Sequence, residues 1–388
     1  VADFNYYATY GTISPIQKSK DTGDAYDLRP QSTGPYKIAS NTKEALVLVR
    51  NKYWKKSTDK VRTPYPDRIE LRFGIDEQVR DQMLLANSIP NAVNFEGPLP
   101  VNRANFFDSS GAPLPSMKGR AINYPDPYAR YYAFNLSKMP CLEIREAMYY
   151  SRDAKGMLDY SGGPSFGGSY ATGVISPLLA TDYAPTKVAG VGAPDFMPSG
   201  NIPKAKALMA IAKTKCPADY AHATQDGVTI DIRQSVTNQD TVPIETQGWA
   251  RAGIKVNFNI IKSGYYPTIM NPAKQSDLSI SGWGADWANA STVIPQLYIT
   301  NGGFDLSQNG NDPTYSAFAA KVATAMKTTN RQAQAKLWKA LDKMAMERFW
   351  VLPTTFGKAQ FVWGSAVGGG FFWVPQGNPA FGKMWVKS

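Results

Sequence analysis

The sequence predicts an α/β fold, and the alternation of its segments carries that prediction. VTIDIR (228–233), IKVNFNII (254–261) and DLSISG (277–282) read as strands, separated by the helical segments TVPIETQGWARAG (241–253) and YYPTIMNPA (265–273). That β-α-β-α-β order predicts a parallel sheet with right-handed crossovers. Upstream, RIELRF (68–73), EQVRDQMLLA (77–86) and NAVNF (91–95) predict a strand–helix–strand unit. Downstream, PTYSAFAAKVATAMKTT (313–329) and RQAQAKLWKALDKMAMER (331–348) predict a helix pair. A chain of 388 residues is long enough for two or three domains.

Taken in order, residues 1–25 read as loop and short strands, and RPQSTGPYKI (29–38) as a turn through Gly34-Pro35. EALVLVRN (44–51) is a strand, and RIELRF alternates apolar and polar with period two. The helix over 77–86 is expected to turn Val79, Met83 and Leu84 to one face. YARYYAFNL (128–136) is an aromatic strand, EIREAMYYSRDAKGML (143–158) one helix, and residues 160–200 are irregular. IPKAKALMAIAK (202–213) is a helix with Pro203 in its first turn, where a missing N–H costs little. The helix over 241–253 is expected to end at Gly253. STVIPQLY (291–298) starts another helix, WVLPTTF (350–356) is a strand, and the tail is strand and loop.

Composition narrows the function. Hydrophobic content of 43% with 19% charged residues marks a globular chain. The net charge of +11 raises nucleic acid as a partner, but no helix-turn-helix, zinc-finger or RRM signature accompanies it, so no nucleic acid is expected. The densest basic cluster, Lys52, Lys55, Lys56 and Lys60, reads as a solvated face. One histidine, His222, and two cysteines, Cys141 and Cys216, leave no CxxC, HExxH or Cys/His cluster, so neither a metal nor another cofactor is expected. The two cysteines either pair or stay as buried thiols. Pairing would stabilise the fold by about 4 kcal/mol in the chain-entropy model. No apolar stretch is long enough to span a membrane. The opening VADFNYYATYG has neither an initiator Met nor a signal peptide, and reads as the interior of a longer protein or a processed product.

The most informative short stretch is SGWGADWANAS (281–291). It holds one acid, Asp286, between Trp283 and Trp287, and no base. In open α/β sheets ligands sit at the carboxyl ends of strands, which is where GWGADW follows DLSISG. A carboxylate between aromatic walls suits a cationic ligand group such as an α-ammonium. The competing reading has Asp286 cap the next helix while both indoles pack in the core. Catalytic motifs are weak. GPSFG (163–167) fits G-x-S-x-G, but Ser165 follows a helix and lacks the strand a nucleophile elbow needs. The only base, His222, has just Asp219 and Asp226 as local acids, and GGG (368–370) precedes no phosphate-binding helix. No enzyme is expected.

Several blocks, in order, resemble the extracytoplasmic solute-binding proteins of ABC importers, family 5, the dipeptide/oligopeptide-binding type. They are STGPYKI, LVLVRNKYWKK, YYAFNLSKMPCLEIREAMYYSRDAKGM, GVISP, AKALMAIAK, GIKVNFNII, GWGADW and ERFWVLPTTF. The resemblance implies a two-lobe, periplasmic-binding-protein-like architecture (type II, cluster C) with mixed sheets flanked by helices. It implies that residues 1–124 belong to lobe I, 125–352 to lobe II, and 353–388 return to lobe I, with hinge strands near 121–128 and 350–356. The usual N-terminal part of lobe I and a small extra domain are expected to be absent from this chain.

The same resemblance places Asp286 on the family's aspartate for the peptide α-ammonium, Trp283 on a pocket aromatic and Trp287 on a position that is often aromatic. Asn135, Arg145 and Asp153 fall on fold-maintaining positions. The implied function is extracytoplasmic peptide binding, periplasmic or lipid-anchored at the outer face of the cytoplasmic membrane. The implied partners are a peptide ligand, an ABC permease and a missing N-terminal segment. An oligosaccharide cargo, with sugar rings stacked on tryptophan, is the alternative; a nickel complex or haem fits one histidine less well, and a signalling or assembly role needs the same fold.

Overall fold

The computed structural model describes Asp3, Phe4, residues 14–370 and residues 372–387. The short strands expected near the start fall largely outside those residues. Where the segment is described, Lys18–Lys20 and Gly23–Leu28 form 3-10 turns instead. The chain packs as two compact units, Val1–Tyr124 with Ala359–Ser388, and Pro125–Lys358.

The first unit opens with an antiparallel sheet in the order β1 (Tyr36–Asn41), β2 (Ala45–Arg50), β3 (Arg68–Arg72). The turn at Gly34-Pro35 leads directly into β1, a strand that the turn signal masks. Helix α1 (Glu77–Leu85) starts at Asp76, whose carboxylate accepts from the backbone N–H groups of Gln78 and Val79. Its inner face differs from the apolar one expected: Asp81 and Leu84 are buried, while Val79 is exposed. Asp81 is drawn inward because it accepts hydrogen bonds from Leu99 N–H and Asn102 Nδ2, both at 2.8 Å. NAVNF is not a strand. It makes a single bridge, Val93 to Trp363, because Asn94 Oδ1 accepts from Glu96 N–H and Gly97 N–H and turns the chain. No strand–helix–strand unit forms there.

The chain enters the second unit within β4 (Ala121–Phe134). The single helix expected over 143–158 is two, α2 (Leu142–Ser151) and α3 (Ala154–Tyr160). Arg152 takes an extended backbone and its guanidinium reaches buried Glu245, 2.8 Å away. Asp153 then caps α3 by accepting from Gly156 N–H. After α4 (Gly163–Gly167), β5 (Ser169–Tyr170) and a long irregular run come α5 (Ile202–Lys215) and α6 (Pro217–Ala221). Cys141, just before α2, and Cys216, between α5 and α6, form a disulfide with their Cα atoms 6.3 Å apart.

The alternating region follows as β6 (Val228–Arg233), α7 (Val236–Ala250), β7 (Val256–Ile261), α8 (Tyr265–Ile269) and β8 (Leu278–Gly284). Helix α7 begins earlier than its apolar pattern suggests, capped by Ser235 and carrying Pro243 inside. Gly253 lies beyond the helix end at φ +78°, and Ile254 N–H donates back to Trp249 C=O. The unit closes with α9 (Ile294–Tyr298), the helix pair α10 (Tyr315–Lys327) and α11 (Arg331–Glu347), and β9 (Val351–Val362). The six-stranded sheet has the order β5-β9-β4-β8-β6-β7. β6 is parallel to β7 and β8, but β4 is antiparallel to β8 and β5 to β9, so the sheet is mixed, with a parallel β8-β6-β7 part.

The chain leaves the second unit inside β9. The return read at 352/353 lies within that unbroken strand, and the division falls after Lys358. The tail adds the short pairs β10 (Val367–Gly368) with β13 (Trp385–Val386) and β11 (Phe372–Trp373) with β12 (Asn378–Pro379). They cover a small core of Phe361, Trp363, Val367, Phe372 and Met384. The larger core of the second unit encloses Trp249, Trp338 and Trp350, all fully buried.

One cation lies inside that larger core. Arg145 on α2 is completely buried. Its guanidinium donates to the carbonyls of Met139 (2.8 Å), Pro140 (2.6 Å), Arg348 (3.0 Å) and Phe349 (3.1 Å), and Asp312 lies 3.9 Å away. Burial pulls its pKa down to about 10, so it stays charged near neutrality. Replacing it by an apolar side chain leaves four backbone carbonyls without their donors. Arg145→Met is expected to cost about 3–5 kcal/mol, read from the urea midpoint; a loss below about 1 kcal/mol would show that the fork is dispensable.

Candidate functional site

The candidate site is built at the end of β8 inside the second unit. The strand does not stop at Gly282. Its pairing with β4 continues through Ala129–Trp283 and Tyr128–Gly284. The two glycines of GWG permit this approach. A Cβ on Gly284 would meet the Tyr128 ring at 3.1 Å, and one on Gly282 would meet Ala129 O at 3.2 Å. Tyr128 occupies the space thus left.

Beyond β8 the chain turns through 285–289 into a 3-10 turn, Ala290–Thr292. The residue that caps this turn is Asn289, whose Oδ1 accepts from Ser291 N–H at 2.9 Å. Asp286 is therefore not the cap. Its Oδ2 accepts from Thr292 Oγ1 at 2.6 Å, and its N–H donates to the same hydroxyl oxygen at 3.3 Å. This closes the loop into a fixed shape. Buried Asp182 anchors the other side, accepting from Ala290 N–H at 2.8 Å while Arg331 of α11 grips it bidentately at 2.6 and 2.7 Å.

Asp286 lines an open cavity of about 300 Å³ together with Tyr128, Tyr266, Gly282, Trp283, Gly284 and Phe304. The aromatic walls brace one another. Trp283 and Phe304 have ring centroids 5.1 Å apart, and Tyr266 and Phe304 5.9 Å. The Trp283 indole N–H donates to Thr292 C=O at 2.7 Å, so the wall and the carboxylate share one anchor. Burial, then the charge of Asp126, push the Tyr128 phenol above its ordinary pKa, with Asp286 adding to the shift, so Tyr128 remains an O–H donor across the neutral range. A carboxylate ringed by aromatic faces can hold a cation and pack the groups attached to it.

The structure thus brings Asp286 and Trp283 together. Trp287 is not among the residues lining this cavity; its indole N–H donates to Ser291 Oγ at 3.1 Å. Sequence reasoning missed Tyr128, Tyr266 and Phe304. Tyr128 is one of several aromatics in β4, and only its position opposite Gly284 distinguishes it. Phe304 sits in a loop whose sequence, NGGFDL, carries no ligand signal.

The residues singled out for catalysis are engaged elsewhere. Ser165 lies in the short helix α4, and its carbonyl accepts from Lys358 Nζ. His222 Nε2 is 3.0 Å from Asp277 Oδ2, and its Nδ1 is 3.5 Å from Asp226 Oδ2. Burial disfavours the charged imidazole, but the hydrogen bonds and charges of Asp277 and Asp226 outweigh it, and the pKa is raised. Asp277 also accepts from Thr229 N–H, which makes this cluster a tie at the start of β6.

Two outcomes are expected. Gly284→Ala should displace the Tyr128 ring by a few tenths of an ångström in a crystal structure of the variant, with little change in melting temperature; an unmoved ring would show that the close approach does not shape the cavity. Because the folded pKa of His222 lies above its unfolded value, its contribution is fully present below about pH 6.5 and is lost as pH rises through the raised value. His222→Gln should flatten that part of the profile of melting temperature against pH, and an unchanged slope would dissociate His222 from it.

Comparison with known proteins agrees with this architecture. The sequence profile of the family described as "Bacterial extracellular solute-binding proteins, family 5 Middle" matches residues 1–305. No curated protein sequence matches significantly. Among solved structures, the chain is similar to the "Clavulanic acid biosynthesis oligopeptide binding protein 2", with a TM-score of 0.75 and 23% identity over 100% of this chain and 69% of that one. It is similar to Haemophilus influenzae OppA in complex with RPPGFSPFR, with a TM-score of 0.79 and 15% identity over 100% and 72%. It is also similar to the Escherichia coli murein tripeptide binding protein MppA, with a TM-score of 0.77 and 17% identity over 100% and 71%. Among the described residues, no helix is long and apolar enough to cross a membrane. With the profile matching well over half of its length, the chain belongs to the family 5 bacterial extracellular solute-binding proteins.

Proposed function

We propose that this protein binds short peptides outside the cytoplasm for delivery to an ABC importer, and that Asp286 holds the ligand's α-ammonium. The observation that carries this reading is the position of the Asp286 carboxylate in a cavity walled by Tyr128, Tyr266, Trp283 and Phe304. The family of solute-binding proteins and the peptide-binding relatives support it. The reading needs no covalent chemistry. The carboxylate supplies the ion pair, the phenol of Tyr128 a donor, and the aromatic faces a surface for the first side chain of the peptide.

The Trp283 face would equally stack a sugar ring, which makes an oligosaccharide the second reading. The charge of the ligand separates the two, because a neutral sugar gains no ion pair from Asp286.

The test is calorimetry with a tripeptide and its N-acetylated form, against wild type and Asp286→Asn. Asp286 is half-buried, so breaking the pair is expected to cost about 2 kcal/mol, the lower end for buried charge pairs. Acetylation and substitution should each weaken binding by that amount, and together by no more than either alone. Equal affinity for the free and acetylated peptides would remove the ammonium role, and binding of an oligosaccharide in place of either peptide would install the second reading.

A further inference from the structure

We propose that the loop over residues 52–62, within the connection from β2 to β3, docks on an anionic phospholipid bilayer. The basic residues there read as an ordinary solvated face in the sequence, but the structure adds two facts. First, the loop carries the two most exposed large apolar side chains among the described residues, Val61 at 86% and Tyr53 at 77%. Second, they stand among five exposed cations, Lys52, Lys55, Lys56, Lys60 and Arg62.

Asp59, the one carboxylate within residues 52–62, is turned inward, and Asp67 at the end of the connection pairs with Arg50 at 3.3 Å. Asp59 accepts from Trp54 Nε1 (2.9 Å), Val61 N–H (3.1 Å), Arg62 N–H (3.0 Å) and Arg62 Nη1 (2.9 Å). These bonds, the Arg62 backbone N–H first, hold its carboxyl well below the usual range. Lys56 Nζ donates to Arg62 C=O at 2.6 Å, and Thr58 Oγ1 to Lys55 C=O at 2.9 Å. The loop is therefore shaped by its own contacts before any partner arrives, so little ordering entropy is lost on docking.

The chemistry favours a bilayer over other anionic partners. A tyrosine ring sits at headgroup level, and lysine stems lie along apolar surface with the ammonium in water. Lys52 Nζ already lies 5.0 Å from the Tyr53 ring centroid. Two isolated apolar tips suit shallow insertion, whereas an acidic protein partner needs a contiguous, desolvated apolar centre. A nucleic acid needs successive stacking rings along a groove or a groove-reading element, whereas this loop offers one strongly exposed ring, Tyr53.

The test is co-sedimentation of the whole chain with phosphatidylglycerol-rich vesicles and with pure phosphatidylcholine vesicles, at low and high salt. Each basic residue near an anionic surface contributes roughly fivefold. The triple variant Lys52→Gln/Lys55→Gln/Lys60→Gln should therefore lose at least about tenfold in binding, while Tyr53→Ser/Val61→Ser should lose several-fold with its charge unaltered. The control Lys206→Gln/Lys213→Gln/Lys327→Gln removes the same charge from other exposed positions and should bind as wild type. Unchanged melting temperatures certify the variants. Equal binding to both lipids, equal losses in the control and the loop variant, or retention on an acidic protein or DNA without vesicle binding would each overturn the proposal. The proposal is independent of Asp286.

Discussion

The buried guanidinium of Arg145 is the constraint on which the second unit depends. A full positive charge in an apolar core persists only if its donors are engaged, and here four of them are spent on backbone carbonyls at two places far apart in sequence. One set belongs to the turn before α2, the other to the turn between α11 and β9. Phe349 stands in that second turn at φ +43°, a conformation unfavourable for a bulky residue, and its carbonyl is one of those held. Trp350 and Arg348 converge on Asp312 beside it. The start of β9 is thereby fixed, and with it the neighbour of β4.

From β4 the consequence reaches the cavity. The register between β4 and β8 sets Tyr128 against Gly284, and a slip of one residue would send that ring to the other face. The loop beyond β8 has its own ties, Asp286 to Thr292 and Ala290 to Asp182 and Arg331. The carboxylate is thus held by a neutral hydroxyl on the same loop. Such a bond orients the group toward the cavity wall.

Other acids of this unit are tied differently. Asp182 and Glu245 face bidentate arginines and are spent on the fold. Asp277 joins His222 to the start of β6. Asp286 differs in lying on the wall of an aromatic cavity. The Cys141–Cys216 disulfide works on a third scale, linking the starts of α2 and α6, where a covalent tie restricts the unfolded chain whatever the local packing.

Local pattern by itself determined the α/β class, the β6–α7–β7–α8–β8 alternation, the α10–α11 pair and the interest of Asp286 and Trp283, because periodicity and turn chemistry act within a few residues. It did not show that NAVNF fails as a strand, since the local Asn94 turn was overlooked and the pairing with β9 that goes no further than the bridge to Trp363 is a tertiary fact. Nor could it split α2 from α3, which follows from Arg152 reaching Glu245 across the fold. The start of β1 was hidden because a turn signal and a strand overlap at Tyr36. The cavity is the clearest case. Tyr128, Tyr266 and Phe304 are far from Asp286 along the chain and carry no motif, and only strand register and ring packing bring them to one carboxylate. The pairing of Cys141 with Cys216 was likewise open until their backbones stood 6.3 Å apart, because sequence spacing carries no distance.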